Sequence, residues 1–203
     1  MNHRLLALQG LLLLLIFCGA GIPDSEKAGE AVADPLCQAH YCETSVTPST
    51  QQSDSITVYI FLHEDCIISQ YYTLSLKELH TEYANPRLQF VGLFPNFSSR
   101  PENIKAFGEK YQIPFPLKPD YFHQKKEALG ATVTPEVVVV NEKTGKTLYQ
   151  GRIDDTYARV GQRKRVTTIT DLKDVLESIR DGQSILISYT QAIGCFIEKN
   201  RFD

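Results

Sequence analysis

The 203-residue sequence predicts an α/β domain: a mixed central sheet with helices on both faces. Three observations predict it. A run of β-forming residues, Ile56 to Leu62, breaks at His63-Glu64-Asp65 and gives way to a helical pattern. A second apolar strand, Leu88 to Phe94, follows that helix, and two early strands joined through a helix suggest a parallel pair. Later, Glu136–Val140 and Lys146–Ile153 flank the turn Asn141–Gly145, a hairpin that adds antiparallel edges.

The remaining elements follow from local signals. Between 66 and 84, Ile67, Tyr71, Leu74, Leu79 and Tyr83 recur close to helical spacing, and Asn85-Pro86 ends that helix. Pro95-Asn96 closes the second strand. Ser99-Arg100-Pro101-Glu102 reads as a helix start, with a capping serine, an early proline and a glutamate at the third helical position. That helix runs to about Tyr111. Ile113–Leu117 contains two prolines and reads as an extended, broken piece. A short helix over 121–129 stops at Gly130. Residues 170–180 place Leu172, Val175, Leu176 and Ile179 on one helical face, before Gly182. From Ser184 the chain is an extended tail carrying Cys195. No internal repeat is present.

Composition narrows the function classes. A hydrophobic share of 42%, with ten Phe and ten Tyr, supports an ordinary globular core. Net charge is −3 and the basic cluster Arg163-Lys164-Arg165 is short, a solvated loop, so nothing argues for nucleic acid. Residues 5–17 are an almost unbroken apolar run behind His3 and Arg4, followed by Gly19, Ala20 and Gly21. This is the layout of a secretory signal peptide over residues 1–20, and the run is short for a membrane span. Cys18 has a second reading, as the lipid-carrying residue of a lipoprotein and a membrane tether, although Phe17 precedes it where a small residue is wanted. Residues 21–54 form a flexible arm, 55–183 the folded domain and 184–203 the extended tail. The expected location is exported, periplasmic or extracellular.

Without the leader, Cys37, Cys42, Cys66 and Cys195 remain. In an exported chain they permit disulfides, with three possible connectivities. Cys37-Gln-Ala-His40-Tyr-Cys42 has soft ligands for copper or zinc but lacks a fourth ligand, and a local disulfide is the plainer reading. The other signals are modest. His63 is near Cys66 in sequence and suits either pKa tuning or a solvated loop. Asn96-Phe97-Ser98 fits a glycosylation acceptor. Asp154 and Asp155 suit a site or, more simply, a turn cap.

Cys66 carries the strongest chemical signal. It opens a helix behind a buried strand, where the helix dipole favours the thiolate that acts as nucleophile. In Cys66-Ile-Ile-Ser69 the serine hydroxyl lies within about one helical turn of the sulfur and can donate to it. Asp65 is a neighbouring like charge that opposes the thiolate. The competing reading is a buried structural cysteine. Pro135 starts a strong strand, where its missing N–H is tolerated.

Taken together, FLHEDCIISQYY, VTPEVVVVNEKTGKTLYQGRIDD and YTQAIGCFI resemble the thioredoxin fold. More closely, they resemble exported redoxin domains of the alkyl-hydroperoxide-reductase and thiol-specific-antioxidant superfamily, over about residues 53–183. The resemblance implies that Cys66 is the attacking cysteine, that Pro135 is the cis-proline beside it and that Thr134 pairs with substrate backbone. The sequence also departs from these patterns. Ser69 stands where thioredoxins have their second cysteine, and the chain has no Trp. Leu62, His63, Glu64 and Asp65 include no threonine to orient a peroxide. Turnover therefore needs another thiol, either Cys195 or an external one. Cys195 could instead be a small buried residue, or pair with Cys37 or Cys42. The expected function is thiol–disulfide oxidoreductase-type activity on protein or small-molecule thiols and disulfides, without a cofactor or resident metal. A copper-handling protein and a non-catalytic binding module are the alternatives, and a peroxidase stands behind both.

Overall fold

The structure, a computed structural model, describes residues 55–199. The leader, Cys18 and the arm with Cys37, His40 and Cys42 lie outside the described residues. A five-stranded sheet forms the centre, in the order β3-β2-β1-β5-β6. β1 (Ile56–Phe61) is the middle strand, parallel to β2 (Leu88–Phe94) and antiparallel to β5 (Glu136–Asn141). It is covered on both faces, as its unbroken apolar run requires. β5 and β6 (Lys146–Gly151) form the expected hairpin.

Alternation along β1 divides the core in two. Val58, Ile60 and Leu62 face the larger cluster, which is built with α1 (Ile67–Tyr83), α2 (Pro101–Tyr111) and α4 (Asp171–Arg180). Tyr59 and Phe61 face a smaller cluster with Val138, Val140 and Leu129 of α3 (Gln124–Leu129). Each fully buried Leu, Ile or Phe contributes about 1.5–3 kcal/mol of transfer free energy, so the larger cluster dominates stability.

Several sequence expectations are corrected. The buried stripe of α1 is Ile68, Tyr72, Leu76, Leu79 and Tyr83, whereas Ile67, at 67% exposure, and Leu74 face outward. Both sides of the first two turns are apolar, and the direction in which the helix leaves β1 selects the inner one. Arg100, in an extended conformation, occupies the N-cap of α2. The Ser99 hydroxyl donates to the Glu64 carboxylate instead of capping. Leu117–Pro119 is a short parallel edge strand, β3, where only a broken extended piece was expected. Its proline is tolerable because the strand lies at an edge. α3 starts later than expected, after a left-handed His123, and ends at a left-handed Gly130.

The segment after β6 is also more structured than its sequence suggests. Asp155, only 2% exposed, accepts hydrogen bonds from the Thr168 and Ile169 amides and the Thr168 hydroxyl. It also pairs with Lys164. That ammonium and the Thr168 hydroxyl hold its carboxyl well below the usual range. Asp154 accepts from the Thr156 amide and the Tyr72 hydroxyl. These carboxylates thus hold a turn around the small hairpin of β7 (Tyr157–Arg159) and β8 (Gln162–Arg163). Arg163 stacks over the Tyr71 ring at 5.1 Å, so the basic cluster is engaged rather than simply solvated.

The tail is a strap along the edge of the sheet. The Gln150 amide donates to Ser188 O at 2.9 Å, and the Thr190 amide donates back to Gln150 O at 3.0 Å. Gly151 has φ 151° and lies against Thr190, where a Cβ would meet the Thr190 carbonyl oxygen at 2.3 Å. The strap then crosses the end of β1. Ile193 and Cys195 pack on the larger cluster and Ile197 on the smaller. Among the described residues, no helix is long and apolar enough to cross a membrane.

Candidate functional site

Cys66 is the N-cap residue of α1, with φ −78° and ψ 112°. The loop before it is pinned. Glu64 accepts from the Ser99 hydroxyl and the Asn103 amide, and its carbonyl accepts from Gln70 Nε2 at 2.7 Å. The extended β1 thus ends in a fixed turn, and Cys66 meets the strand that follows α3. That strand is β4 (Val133–Thr134), and its Thr134–Pro135 bond is cis. The Cys66 thiol donates to Thr134 O at 3.1 Å.

The strap completes the site. β9 (Cys195–Phe196) pairs antiparallel with β4, matching Cys195 to Thr134 and Phe196 to Val133. The Ile197 amide donates to Thr132 O, and the Glu198 amide to Asn96 Oδ1 at 3.2 Å. Gly194 makes the approach possible: a Cβ there would lie 2.2 Å from Thr134 O. The Cys195 sulfur then sits 2.7 Å from the Cys66 sulfur, across 129 residues of sequence. Both cysteines are free thiols. A disulfide bond is about 2.05 Å long, so little movement separates the pair from a bond.

The two thiols have opposite acidities. Burial pushes the Cys66 thiol up, but donation from the Cys195 thiol and from the Ser69 amide and hydroxyl outweighs it. The result lies below the ordinary thiol value. Asp65 is exposed and is not among the groups that set this acidity. The Cys195 thiol is pushed up to about 12, first by burial, then by donating its proton to Cys66 and by the Cys66 charge.

One expectation about the sulfur needs correction. A nucleophile at a helix start behind a strand is expected to meet solvent, but Cys66 is 1% exposed. The strap fills the crevice, and Cys195, half-buried, is the more exposed of the two. An apolar cavity of about 130 Å³ lies elsewhere, between α4 and strap residues Ile185, Leu186 and Ile187.

The other candidates do not join the site. His63 is 3.4 Å from the Ser98 hydroxyl and 3.9 Å from Glu64. His63, Glu64 and Asp65 bring ligand-type atoms within 4.8 Å of one another, but Glu64 is already occupied by Ser99 and Asn103 and no cysteine joins them. Asn96 is 3% exposed and bonded to the strap, which removes it as a glycosylation acceptor. Gly194 and Gly151 are the residues that sequence reasoning missed. The available signal was a glycine directly before the tail cysteine.

The fold and site define a class: a thioredoxin-type α/β domain with a cysteine pair at the first helix and the cis-proline. No protein-family model matches the chain, and no curated protein does. Solved structures do. An uncharacterized conserved protein from Geobacillus kaustophilus is similar at 25% identity and TM-score 0.64, over 73% of this chain and 79% of that one. A hypothetical protein from Sinorhizobium meliloti is similar at 24% identity and TM-score 0.62, over 71% and 80%. A secreted disulfide oxidoreductase from Mycobacterium tuberculosis is similar at 19% identity and TM-score 0.40, over 46% and 66%, a likeness from which no function is carried over.

Proposed function

We propose that the protein is a thiol–disulfide oxidoreductase whose redox pair is Cys66 and Cys195. One observation carries the reading: the two sulfurs lie 2.7 Å apart at the start of α1, beside the cis Thr134–Pro135 bond. The pair cycles between two thiols and one disulfide, passing two electrons to or from an outside thiol or disulfide. Cys66 is the nucleophile that forms the internal bond, because its thiolate is favoured. Ser69 and the helix start hold that charge. Thr134 and Pro135 line the groove that the strap occupies, and Cys195 pairs with Thr134 where the resemblance implied a substrate backbone. Cys195 replaces the second cysteine that Ser69 displaces from the Cys-x-x-Ser segment, and the redoxin-like resemblance around Cys66 supports the assignment.

The apolar leader supports an exported protein, working where disulfides persist. Metal handling fits the site less well. Two metal–sulfur bonds of about 2.3 Å would close to an angle of about 70° at this sulfur separation, far from tetrahedral.

Mass-spectrometric mapping of the oxidised full chain tests the proposal. The expected result is a Cys66–Cys195 cross-link formed with loss of two hydrogens. Cys66 paired with Cys37 or Cys42, or both cysteines still free after oxidation, would refute it. A binding module without turnover would then be the better description.

A further inference from the structure

Resting on that redox pair, we infer that an outside thiol enters at Cys195 rather than Cys66, and that the oxidised protein transfers its disulfide to a dithiol substrate. The two sulfurs differ in access. Cys66 is 1% exposed and is enclosed by the Thr134 carbonyl, Cys195 and the core. The strap over it is held by backbone pairing from Ser188 to Ile197, by the Glu198 amide donating to the Asn96 side chain and by the Gly194 contact with Thr134. Reaching the Cys66 sulfur requires lifting that strap. Reaching Cys195 does not, since it is half-buried and followed by Phe196 at 85% exposure.

Leaving-group chemistry points the same way. Attack on the Cys195 sulfur sends the bonding electron pair to Cys66, the sulfur whose thiolate is stabilised. Attack on Cys66 would expel Cys195, whose sulfur lacks the Ser69 amide and hydroxyl that support a thiolate at Cys66. The steps balance as follows. A substrate thiolate attacks Cys195 Sγ, a substrate–Cys195 bond forms, the Cys66–Cys195 bond breaks and Cys66 departs as thiolate. The second thiolate of the substrate then attacks its own sulfur in the mixed disulfide. The substrate leaves as a disulfide, and Cys195 leaves as thiolate and takes up a proton. Two electrons pass from the substrate dithiol to the protein. This differs from an arrangement in which the cysteine at the helix start meets the substrate.

The test exposes the oxidised full chain to limiting glutathione, quenches with acid, labels free thiols with N-ethylmaleimide and locates both groups by peptide mass spectrometry. The expected product carries glutathione on Cys195 and the label on Cys66, in excess of the reverse product by about tenfold or more. Glutathione mainly on Cys66, or divided evenly, overturns the inference while leaving the redox pair standing. Failure of the chain to form the Cys66–Cys195 disulfide at all is a different result and removes both. A Gly194→Val chain adds a second arm, because its side chain must push the strap off Thr134. Its reduced Cys66 is expected to react with N-ethylmaleimide about tenfold faster than in the unmodified protein, and the Cys195 preference to shrink. A folded Gly194→Val chain with unchanged Cys66 reactivity overturns the shielding argument.

Discussion

Replacing Cys195 by alanine and, separately, by serine isolates the interaction that sets the acidity of Cys66. The Cys195 thiol is the largest influence favouring the Cys66 thiolate, and it acts against the burial that opposes it. A hydrogen bond to a charged group is worth about 1.5–3 kcal/mol. One pKa unit corresponds to about 1.36 kcal/mol. Loss of the donor in Cys195→Ala should therefore raise the Cys66 pKa by about one to two units. Serine keeps a donor at nearly the same place, so Cys195→Ser should stay close to the unmodified protein. Water entering the space left by alanine relieves some of the burial and pulls the value down, so the alanine effect belongs at the lower end of that range. The assay is the rate of alkylation of the reduced protein against pH, read on the Cys66 peptide alone because other cysteines also titrate. Equal Cys66 titrations in the alanine and serine variants would refute the reasoning, since the donor at position 195 would then contribute nothing. A lower pKa in the alanine variant would refute it more strongly.

Two further outcomes follow from the same site. Ser69→Ala removes a hydroxyl that favours the thiolate while leaving the Ser69 amide in place, so the Cys66 pKa should rise by about one unit. At a pH where Cys66 is ionised in both proteins, the reduced form loses that stabilisation, and the pair's potential, measured by equilibration with a glutathione buffer, should become more negative by about 30 mV. The stability of the reduced protein should be bell-shaped in pH, read by denaturant unfolding. Between the depressed Cys66 value and the ordinary thiol value, only the unfolded chain keeps that proton, so stability rises with pH. Above the ordinary value, only the native state keeps the Cys195 proton, so stability falls toward pH 12. Burial of the Tyr72 and Tyr149 hydroxyls acts in the same falling direction.

Most of the fold is legible locally. The β-branched and aromatic run of β1, the turn between β5 and β6, and the one-sided apolar face of α4 each specify their element within a few residues. The misreadings share a cause. α1 has apolar residues on two sides of its first turns, and only the sheet it leaves decides which side is covered. β3 is three residues long and includes a proline, so it exists only because β2 offers it an edge. Ser99 has the chemistry of a cap, but the Glu64 carboxylate claims its hydroxyl.

The site divides in the same way. By itself the amino-acid sequence determined a thiol at a helix start, a serine one turn on, a proline opening the facing strand and a cysteine in an extended tail. These are local matters of spacing and backbone preference. Only the tertiary structure decided that the tail returns over the sheet, that Gly151 and Gly194 let it lie close enough, and that Cys195 meets Cys66 and closes it from solvent. A strap without periodicity docks on whichever backbone edge is left unpaired. That edge exists only once β4 and β6 have been set in place by the rest of the chain.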